Sequence, residues 1–202
     1  MRFSRRGLLA ATAAIAAAPS AFARPKSSAA PAPWTPDATE LAGRVSRKEV
    51  SAAELVEAAI QRIETLQPQV QALVASDFER ALDKAKAGKL SGPFAGAPFL
   101  VKDLDPYKGL PTRYGTRVSL GAKPEKEQTA YIDAFDAAGL ITLGKSTTPE
   151  YGFLPTTEPM GFLPTRNPWN TQHSSGGSSG GAAAAVASGM VAIAHASDGG
   201  GS

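Results

Sequence analysis

The most constraining feature of the sequence is the alternation of glycine/serine loops and apolar segments over its last thirty residues, 173–202. A first loop, GGSSGG at 176–181, leads into an alanine-rich segment at 182–187 that predicts a helix. A short apolar run at 191–194 predicts a strand, and SDGGGS at 197–202 forms a second loop. A flexible linker would not interrupt its Gly/Ser composition with two apolar segments. Because glycine lets the backbone approach a bound group closely, the stretch predicts two serine-bearing turns that bind an anion or an oxyanion.

Charge and composition exclude several classes of function. The net charge is +3, but Arg2, Arg5 and Arg6 account for it, and acidic and basic residues balance from Arg24 onward. No basic stripe with interleaved aromatic residues is present, so we expect no nucleic-acid partner. The absence of cysteine excludes disulfides, thiolate zinc sites and cysteine nucleophiles, and two histidines are too few for most histidine-based metal sites.

The N-terminus has the features of an export signal. Basic residues up to Arg6 precede an apolar, alanine-rich stretch, and the small residues Ala21 and Ala23 suit the −3 and −1 positions of a cleavage site. The apolar run is too short to span a membrane, and the pair Arg5-Arg6 is typical of a twin-arginine signal. The alternative is an uncleaved amphipathic anchor. We predict a signal peptide at 1–23 and an exported protein, periplasmic or secreted, without stable membrane insertion after cleavage.

The remaining sequence predicts a short linker followed by one α/β domain. Residues 24–36 are rich in Pro, Ala and Ser and predict a disordered linker, which leaves 37–202 for the domain. Ser51 and Glu54 form a capping box at the start of a helical pattern that Pro68 is expected to stop. Hydrophobic periodicity predicts helices at 37–45, 51–66, 78–87 and 127–138, and strands at 71–76, 99–102 and 140–144.

A lysine stands at the end of one of these predicted strands. Apolar residues at 99–101 lead directly into Lys102, which suits a strand that enters a core. Such a lysine commonly extends its side chain to the surface. If it is buried instead, desolvation lowers its pKa and makes a neutral amine available as a base. The sequence pattern alone leaves both alternatives open.

Five motifs follow one another along the chain: FLVKD at 99–103, the strand at 140–145 that leads to TPE at 148–150, NPW at 167–169, GGSSGG at 176–181 and SDGGGS at 197–202. Their spacing is specific, with 76 residues from Lys102 to Ser178 and 24 from Ser178 to Ser202. Taken in this order, the motifs resemble the amidase signature family, and the similarity runs from about Asp37 to the last residue.

The resemblance implies a fold and a class of reaction. Family members have a large α/β domain built on a mixed sheet flanked by helices. We expect this domain to be incomplete here because the chain stops at residue 202. They hydrolyse or transfer carboxamides with a Ser–Ser–Lys triad. The resemblance therefore implies no metal, no cofactor, a small-molecule amide as substrate, and a homodimer as a candidate assembly of the full-length protein.

The resemblance also assigns roles to individual residues. Ser202 is the implied nucleophile, Ser178 the bridging serine with a cis peptide bond, and Lys102 the base. A serine hydroxyl needs a nearby proton acceptor, and neutral Lys102 would take the proton through Ser178, form an acyl-enzyme, and return the proton to the leaving amine. The resemblance also implies an oxyanion hole, formed by the backbone N–H groups of Gly199, Gly200, Gly201 and Ser202. It implies that Ser179 orients the triad and that Asp198 shapes the loop.

Three further expectations follow from details of these motifs. Gly199 stands where many members have a β-branched residue, which favours a linear or cyclic amide of modest size. His195 lies in an apolar run and is interpreted as a packed core histidine. A polypeptide that ends at Ser202 carries a free carboxylate beside the oxyanion hole, so we expect the isolated chain to be inactive.

The sequence leaves two alternative functions open. The first is the amidotransferase subunit that forms glutaminyl-tRNA, which carries the same motifs but acts in the cytoplasm, so the predicted export signal argues against it. The second is a non-catalytic module that binds anions with the two glycine loops. No Gly-x-x-x-x-Gly-Lys-[Ser/Thr] pattern supports nucleotide binding by such a module.

Overall fold

The computed structural model describes residues 36–202, and the predicted signal peptide and nearly all of the predicted linker lie outside the described residues. The described part contains five α-helices and five strands, with short 3₁₀ turns at Arg117–Ser119 and Glu150–Gly152. The helices are α1 (Ala38–Ser46), α2 (Ala52–Val70), α3 (Phe78–Lys86), α4 (Ala130–Ala137) and α5 (Gly180–Ala187). The strands are β1 (Leu73–Ser76), β2 (Pro98–Lys102), β3 (Ile141–Ser146), β4 (Arg166–Asn167) and β5 (Asn170–Ser174).

The central sheet is mixed, as predicted. Its strand order is β1-β3-β2, with β3 parallel to β2 and antiparallel to β1, while β4 and β5 form a separate antiparallel pair. Every residue of β2 and β3 is buried, which is typical of strands covered on both faces. The predicted α/β architecture is therefore confirmed.

Side chains that alternate along β2 divide the core into two layers. Leu100 packs with Leu143, α2, α3 and α5 on one face of the sheet. Phe99 and Val101 pack on the other face, where Ile132 of α4 is fully buried. Because Lys102 follows this alternation, its side chain lies on the face of Leu100, toward α5.

Local sequence signals account for most helix boundaries. The Asp37 side chain accepts the Glu40 N–H at the start of α1, and Ser51 with Glu54 forms the predicted capping box at the start of α2. Helix α4 begins at Ala130, three residues later than predicted, because the Thr129 side chain caps it by accepting the Ile132 N–H.

Two further predictions, one about the end of a helix and one about a strand, are wrong. Helix α2 continues through Pro68 to Val70 and ends at Gln71, which has φ 56°. Pro68 lies on the exposed side of the last turn, and the same turn buries Val70 in the core, which offsets the hydrogen bond that the proline cannot make. The apolar run at 191–194 forms no strand, because no ladder of backbone hydrogen bonds joins it to β2.

Among residues 36–202, no helix combines the length and the apolar character that crossing a membrane requires.

Candidate active site

Three chain segments converge where β2 ends. Lys102 is the last residue of β2, Ser178 and Ser179 immediately precede α5, and Ser202 ends the second glycine loop. Helix α5 packs very closely on the end of β3, where the Gly181 N–H donates to the Thr147 carbonyl at 3.2 Å. This close packing requires glycine, since a Cβ at Gly181 would meet Thr147 backbone nitrogen at 2.4 Å.

The Lys102 amine lies among serine oxygens. Its Nζ is 2.8 Å from Ser178 Oγ, 2.8 Å from Ser179 Oγ and 3.4 Å from Ser202 Oγ. It also donates to the Ser197 carbonyl oxygen at 2.9 Å. The structure thus brings together the lysine and all three serines that the sequence singled out.

The serine hydroxyls also contact one another. Ser178 Oγ and Ser202 Oγ are 2.7 Å apart, and the Ser179 N–H donates to Ser202 Oγ at 2.8 Å. Ser179 stands at the N-cap position of α5, but its hydroxyl donates to the Ser197 carbonyl at 3.1 Å instead of capping the helix. The peptide bond between Gly177 and Ser178 is cis, in agreement with the family resemblance.

Burial decides between the two alternatives for Lys102. The side chain is 0 % exposed, so it does not extend to the surface. Desolvation lowers the pKa of Lys102, and the negative charges of Asp105 and Asp198 only partly oppose this effect. The neutral form of the Lys102 amine is therefore more favoured at this site than it would be in water.

The second glycine loop is organised by Asp198. Its Oδ1 accepts the N–H groups of Gly200 at 2.7 Å, Gly201 at 2.5 Å and Ser202 at 2.8 Å. These hydrogen bonds lower the pKa of the Asp198 carboxyl, the bond from Ser202 most strongly. The expectation that Asp198 shapes the loop agrees with this geometry. The oxyanion-hole role of the loop stays a prediction, and in this structure three of its four proposed donors bind the carboxylate.

His195 is packed in the core, as predicted, but it also makes polar contacts. The residue is 3 % exposed, and its ring lies against Tyr131 and Phe135, with ring centroids 5.4 Å and 5.2 Å away. Its Nδ1 accepts the Lys102 backbone N–H at 3.3 Å. Burial lowers the pKa of His195.

Several residues around the site were not identified from the sequence. Thr148 donates its hydroxyl hydrogen to the Ser178 carbonyl at 3.2 Å, and the Ser197 carbonyl accepts from both Lys102 and Ser179. On the opposite face of the sheet, Lys145 and Asp103 form an ion pair at 3.3 Å, with both side chains almost completely buried. A threonine, a backbone carbonyl and a strand lysine carry no periodic or compositional signal that could have indicated these contacts.

A cavity of about 650 Å³ lies against the serines and includes Lys102, Ser178 and Ser202 in its wall. Its other side is mainly apolar and comes from Leu104 and the segment 151–155. A larger cavity of about 880 Å³ lies between α1, α2 and residues 88–95, away from the lysine and the serines. Within residues 36–202, no group of three or more His, Cys, Asp or Glu side chains is arranged to bind a metal ion.

The fold is a mixed sheet in which one strand ends at a buried lysine. Two serine-bearing glycine loops surround the amine of this lysine, so fold and site together define a class of proteins with a lysine–serine cluster at the end of the sheet. A family model described as Amidase matches residues 54–202. The chain belongs to this family, the amidase signature family, as the sequence motifs predicted.

Individual relatives give the same result. The chain is 40% identical over 172 residues to an acylamidase of Rhodococcus erythropolis, covering 82% of this chain and 36% of that protein. It is 41% identical over 172 residues to the A-type subunit of the glutamyl-tRNA(Gln) amidotransferase of Salinispora arenicola, covering 82% of this chain and 35% of that protein. Among solved structures, a 6-aminohexanoate cyclic dimer hydrolase matches with a TM-score of 0.75 and 38% identity, covering 79% of this chain and 33% of that one.

The chain thus spans about a third of the length of the relatives it matches. The residues matched by the family model, 54–202, contain the central sheet, the buried lysine and both glycine loops.

Proposed function

We propose that this chain carries the catalytic centre of an amidase that hydrolyses a linear or cyclic carboxamide of modest size. In this proposal Ser202 is the nucleophile, Ser178 relays a proton, and Lys102 is the base. The observation that carries it is the position of the buried Lys102 amine, 2.8 Å from Ser178 Oγ, which is itself 2.7 Å from Ser202 Oγ.

The hydrogen-bond pattern is consistent with a neutral lysine that accepts a proton. The Ser197 carbonyl only accepts, so it takes one hydrogen of the Lys102 amine, and Ser179 Oγ takes the other. The lone pair of the amine then remains for the hydroxyl hydrogen of Ser178. Ser178 Oγ in turn accepts the hydrogen of Ser202 Oγ, so a proton moves from the nucleophile to the amine in two short steps.

The same geometry supports an acyl-enzyme mechanism. Ser202 Oγ forms a bond to the amide carbonyl carbon while its proton passes through Ser178 to Lys102. The C–N bond then breaks, and the proton returns from Lys102 to the leaving amine. Water then attacks the ester on Ser202 and gives a proton to Lys102, and as the bond from Ser202 Oγ to the acyl carbon breaks, a proton returns through Ser178 to Ser202 Oγ. The Ser179 N–H, 2.8 Å from Ser202 Oγ, favours the developing alkoxide.

The proposed oxyanion hole comprises the backbone N–H groups of Gly199, Gly200, Gly201 and Ser202. Three of them bind Asp198 Oδ1 here, so they become available only if substrate displaces the carboxylate. One backbone donor of this kind contributes about 3 kcal/mol to transition-state stabilisation. In this exchange the same backbone N–H groups would bind the oxyanion of the substrate in place of the Asp198 carboxylate, and the bound group would be negatively charged in both states.

The test compares variants of the natural full-length protein. We expect Ser202→Ala, Ser178→Ala and Lys102→Ala each to reduce hydrolysis of a small amide by more than about a hundredfold. A fluorophosphonate probe should label the wild type on Ser202, as identified by peptide mass spectrometry.

The matched control is Ser188→Ala. Ser188 is a fully buried serine at the other end of α5, where its hydroxyl donates to the Ala185 carbonyl at 3.3 Å. This variant should keep its activity and its labelling. Wild-type activity in Ser202→Ala, or labelling at another residue, would refute the proposed roles.

A second candidate is an amidotransferase A-type subunit. The 41% identity to the Salinispora arenicola protein favours it. Both candidates use the same serines and lysine, so mutagenesis does not separate them. Ammonia release from free glutamine that depends on aminoacylated tRNA would support the amidotransferase, whereas hydrolysis of simple amides without tRNA supports the amidase.

The non-catalytic anion-binding module receives less support from the geometry. An anion would have to compete with Asp198 for the N–H groups of Gly200, Gly201 and Ser202. An anion site also favours a charged amine, whereas burial lowers the pKa of Lys102 and so favours the neutral form. Phosphate binding that is unaffected by fluorophosphonate treatment would favour this module.

We also propose that the full-length protein is exported through its twin-arginine signal, and that the isolated 202-residue polypeptide is inactive. In that polypeptide the α-carboxylate of Ser202 adds a negative charge beside donors meant for an oxyanion. Hydrolysis of an amide by residues 24–202, abolished by Lys102→Ala, would contradict the second statement.

A further inference from the structure

On the edge of β2 that faces away from β3, His195 bonds two backbone groups of the strand. The His195 backbone N–H donates to the Leu100 carbonyl at 2.8 Å. Two residues further along β2, the Lys102 backbone N–H donates to His195 Nδ1 at 3.3 Å. His195 therefore provides both a donor and an acceptor where a neighbouring strand would provide two backbone groups.

The second contact constrains the chemical state of the imidazole. A ring nitrogen accepts an N–H only when it carries no proton, so Nδ1 is unprotonated and the neutral ring carries its hydrogen on Nε2. The Tyr131 hydroxyl is 3.4 Å from Nε2 and can accept this hydrogen. The rings of Tyr131 and Phe135 hold the plane of the imidazole in this orientation.

We propose that His195 is a positioning residue for the lysine base: its neutral Nδ1 fixes the backbone of Lys102 and thereby places the amine among the serines. This inference rests on the proposed amidase function. The side chain of Lys102 branches from Cα, which is bonded directly to the amide nitrogen that accepts this constraint from His195. A shift of the strand end would therefore move Nζ relative to Ser178 and Ser179, whose positions are set separately by α5.

Charged groups around the imidazole act in opposite directions. Asp105 Oδ2 lies 3.8 Å from Nδ1 and favours a protonated ring. Burial opposes protonation, and so does a positive charge on Lys145 or, whenever its amine is protonated, on Lys102. Protonation would convert Nδ1 into a donor that points at the Lys102 N–H, so the hydrogen bond would be lost.

Two substitutions of similar severity separate positioning from packing. His195→Asn keeps an acceptor, since Asn Oδ1 stands near the position of Nδ1, but it loses much of the ring volume. His195→Leu fills most of the volume but has no acceptor. If His195 only fills space, Leu should be tolerated better than Asn, whereas positioning predicts the reverse.

We expect His195→Leu in the natural full-length protein to lower kcat for amide hydrolysis about tenfold with KM nearly unchanged, as loss of one hydrogen bond to the base would do. His195→Asn should stay within about threefold of the wild type. Hydrogen exchange of the backbone amides in 98–104 should become faster in His195→Leu and remain slow in His195→Asn. Equal exchange in both variants, or a larger loss of kcat in His195→Asn, would overturn the inference.

A measurement on the wild type needs no substitution in the core. ¹⁵N NMR of the histidine-labelled full-length protein should show the His195 ring with its hydrogen on Nε2 at neutral pH. The chain's other histidine, His173, is exposed, and the His195→Asn and His173→Asn variants assign the signals of the two rings. A His195 ring protonated on Nδ1 would overturn the inference. If the wild type hydrolyses no amide, the proposed function fails, but the exchange and NMR results still decide whether His195 holds Lys102.

Discussion

Replacing Gly181 by alanine tests the packing that brings the serines to the lysine. In a helix interior this change stabilises the helix by up to about 1 kcal/mol. Here, however, the new Cβ would lie 2.4 Å from Thr147 backbone nitrogen and 2.5 Å from its carbonyl oxygen, whereas ordinary contacts begin at 3.4 Å. Thr147 cannot retreat easily, because its N–H donates to the Ala72 carbonyl at 2.9 Å.

The magnitudes indicate which effect dominates. Relieving the overlap requires α5 and the end of β3 to separate by about 1 Å, and overpacking of this kind costs about 1–3 kcal/mol. The 3.2 Å bond from the Gly181 N–H to the Thr147 carbonyl would also stretch, at a cost of about 1 kcal/mol. The net expectation is destabilisation by about 1–3 kcal/mol, opposite in sign to the helix preference.

The assay is urea unfolding of the natural full-length protein, followed by circular dichroism. The matched control is Gly121→Ala, since Gly121 is exposed and no atom would approach its Cβ within 4 Å; it should change the unfolding free energy by less than about 0.5 kcal/mol. Gly181→Ala should also slow the labelling of Ser202, because α5 carries Ser178 and Ser179 away from Lys102. A Gly181→Ala protein as stable as the wild type would refute this reasoning.

Three further predictions address other parts of the chain. Asp103→Asn should destabilise the protein by about 3–5 kcal/mol in urea unfolding, because it leaves the charge of buried Lys145 without its carboxylate; if adding Lys145→Met does not recover most of the loss, the ion pair is not the cause. The unfolding free energy should fall as the pH drops below about 6.5, because His195 has a lower pKa folded than unfolded and the unfolded chain binds the proton; His195→Asn should reduce this dependence and His173→Asn should not. Arg5→Lys with Arg6→Lys should keep the precursor in the cytoplasm in cell fractionation, and undiminished export would exclude the twin-arginine route.

The features that sequence reasoning predicted correctly depend on local signals. Apolar periodicity and the capping box that begins at Ser51 indicated the early helices, and the apolar run before Lys102 indicated β2. The order and spacing of the motifs indicated the family. Each of these signals is contained in neighbouring residues or in the spacing between motifs.

The features that were missed depend on contacts between distant segments. Whether Lys102 is buried depends on α5 and the final loop, whose serines surround the amine from positions 76 to 100 residues away. The run at 191–194 looked like a strand, but an imidazole takes the hydrogen bond at the β2 edge that a strand would have made. Helix α2 passes Pro68 because Val70 is buried against other elements, which the local sequence does not show.

The most direct test of the proposed mechanism is the pH dependence of the labelling of Ser202 by a fluorophosphonate in the natural full-length protein. Burial lowers the pKa of Lys102, so the labelling rate should rise with pH through an apparent pKa clearly below the usual lysine value of about 10.4. This rise should be absent in Lys102→Gln, which should label slowly at every pH. A Lys102→Gln protein that labels as fast as the wild type, with the same pH dependence, would contradict the role of the lysine as the base.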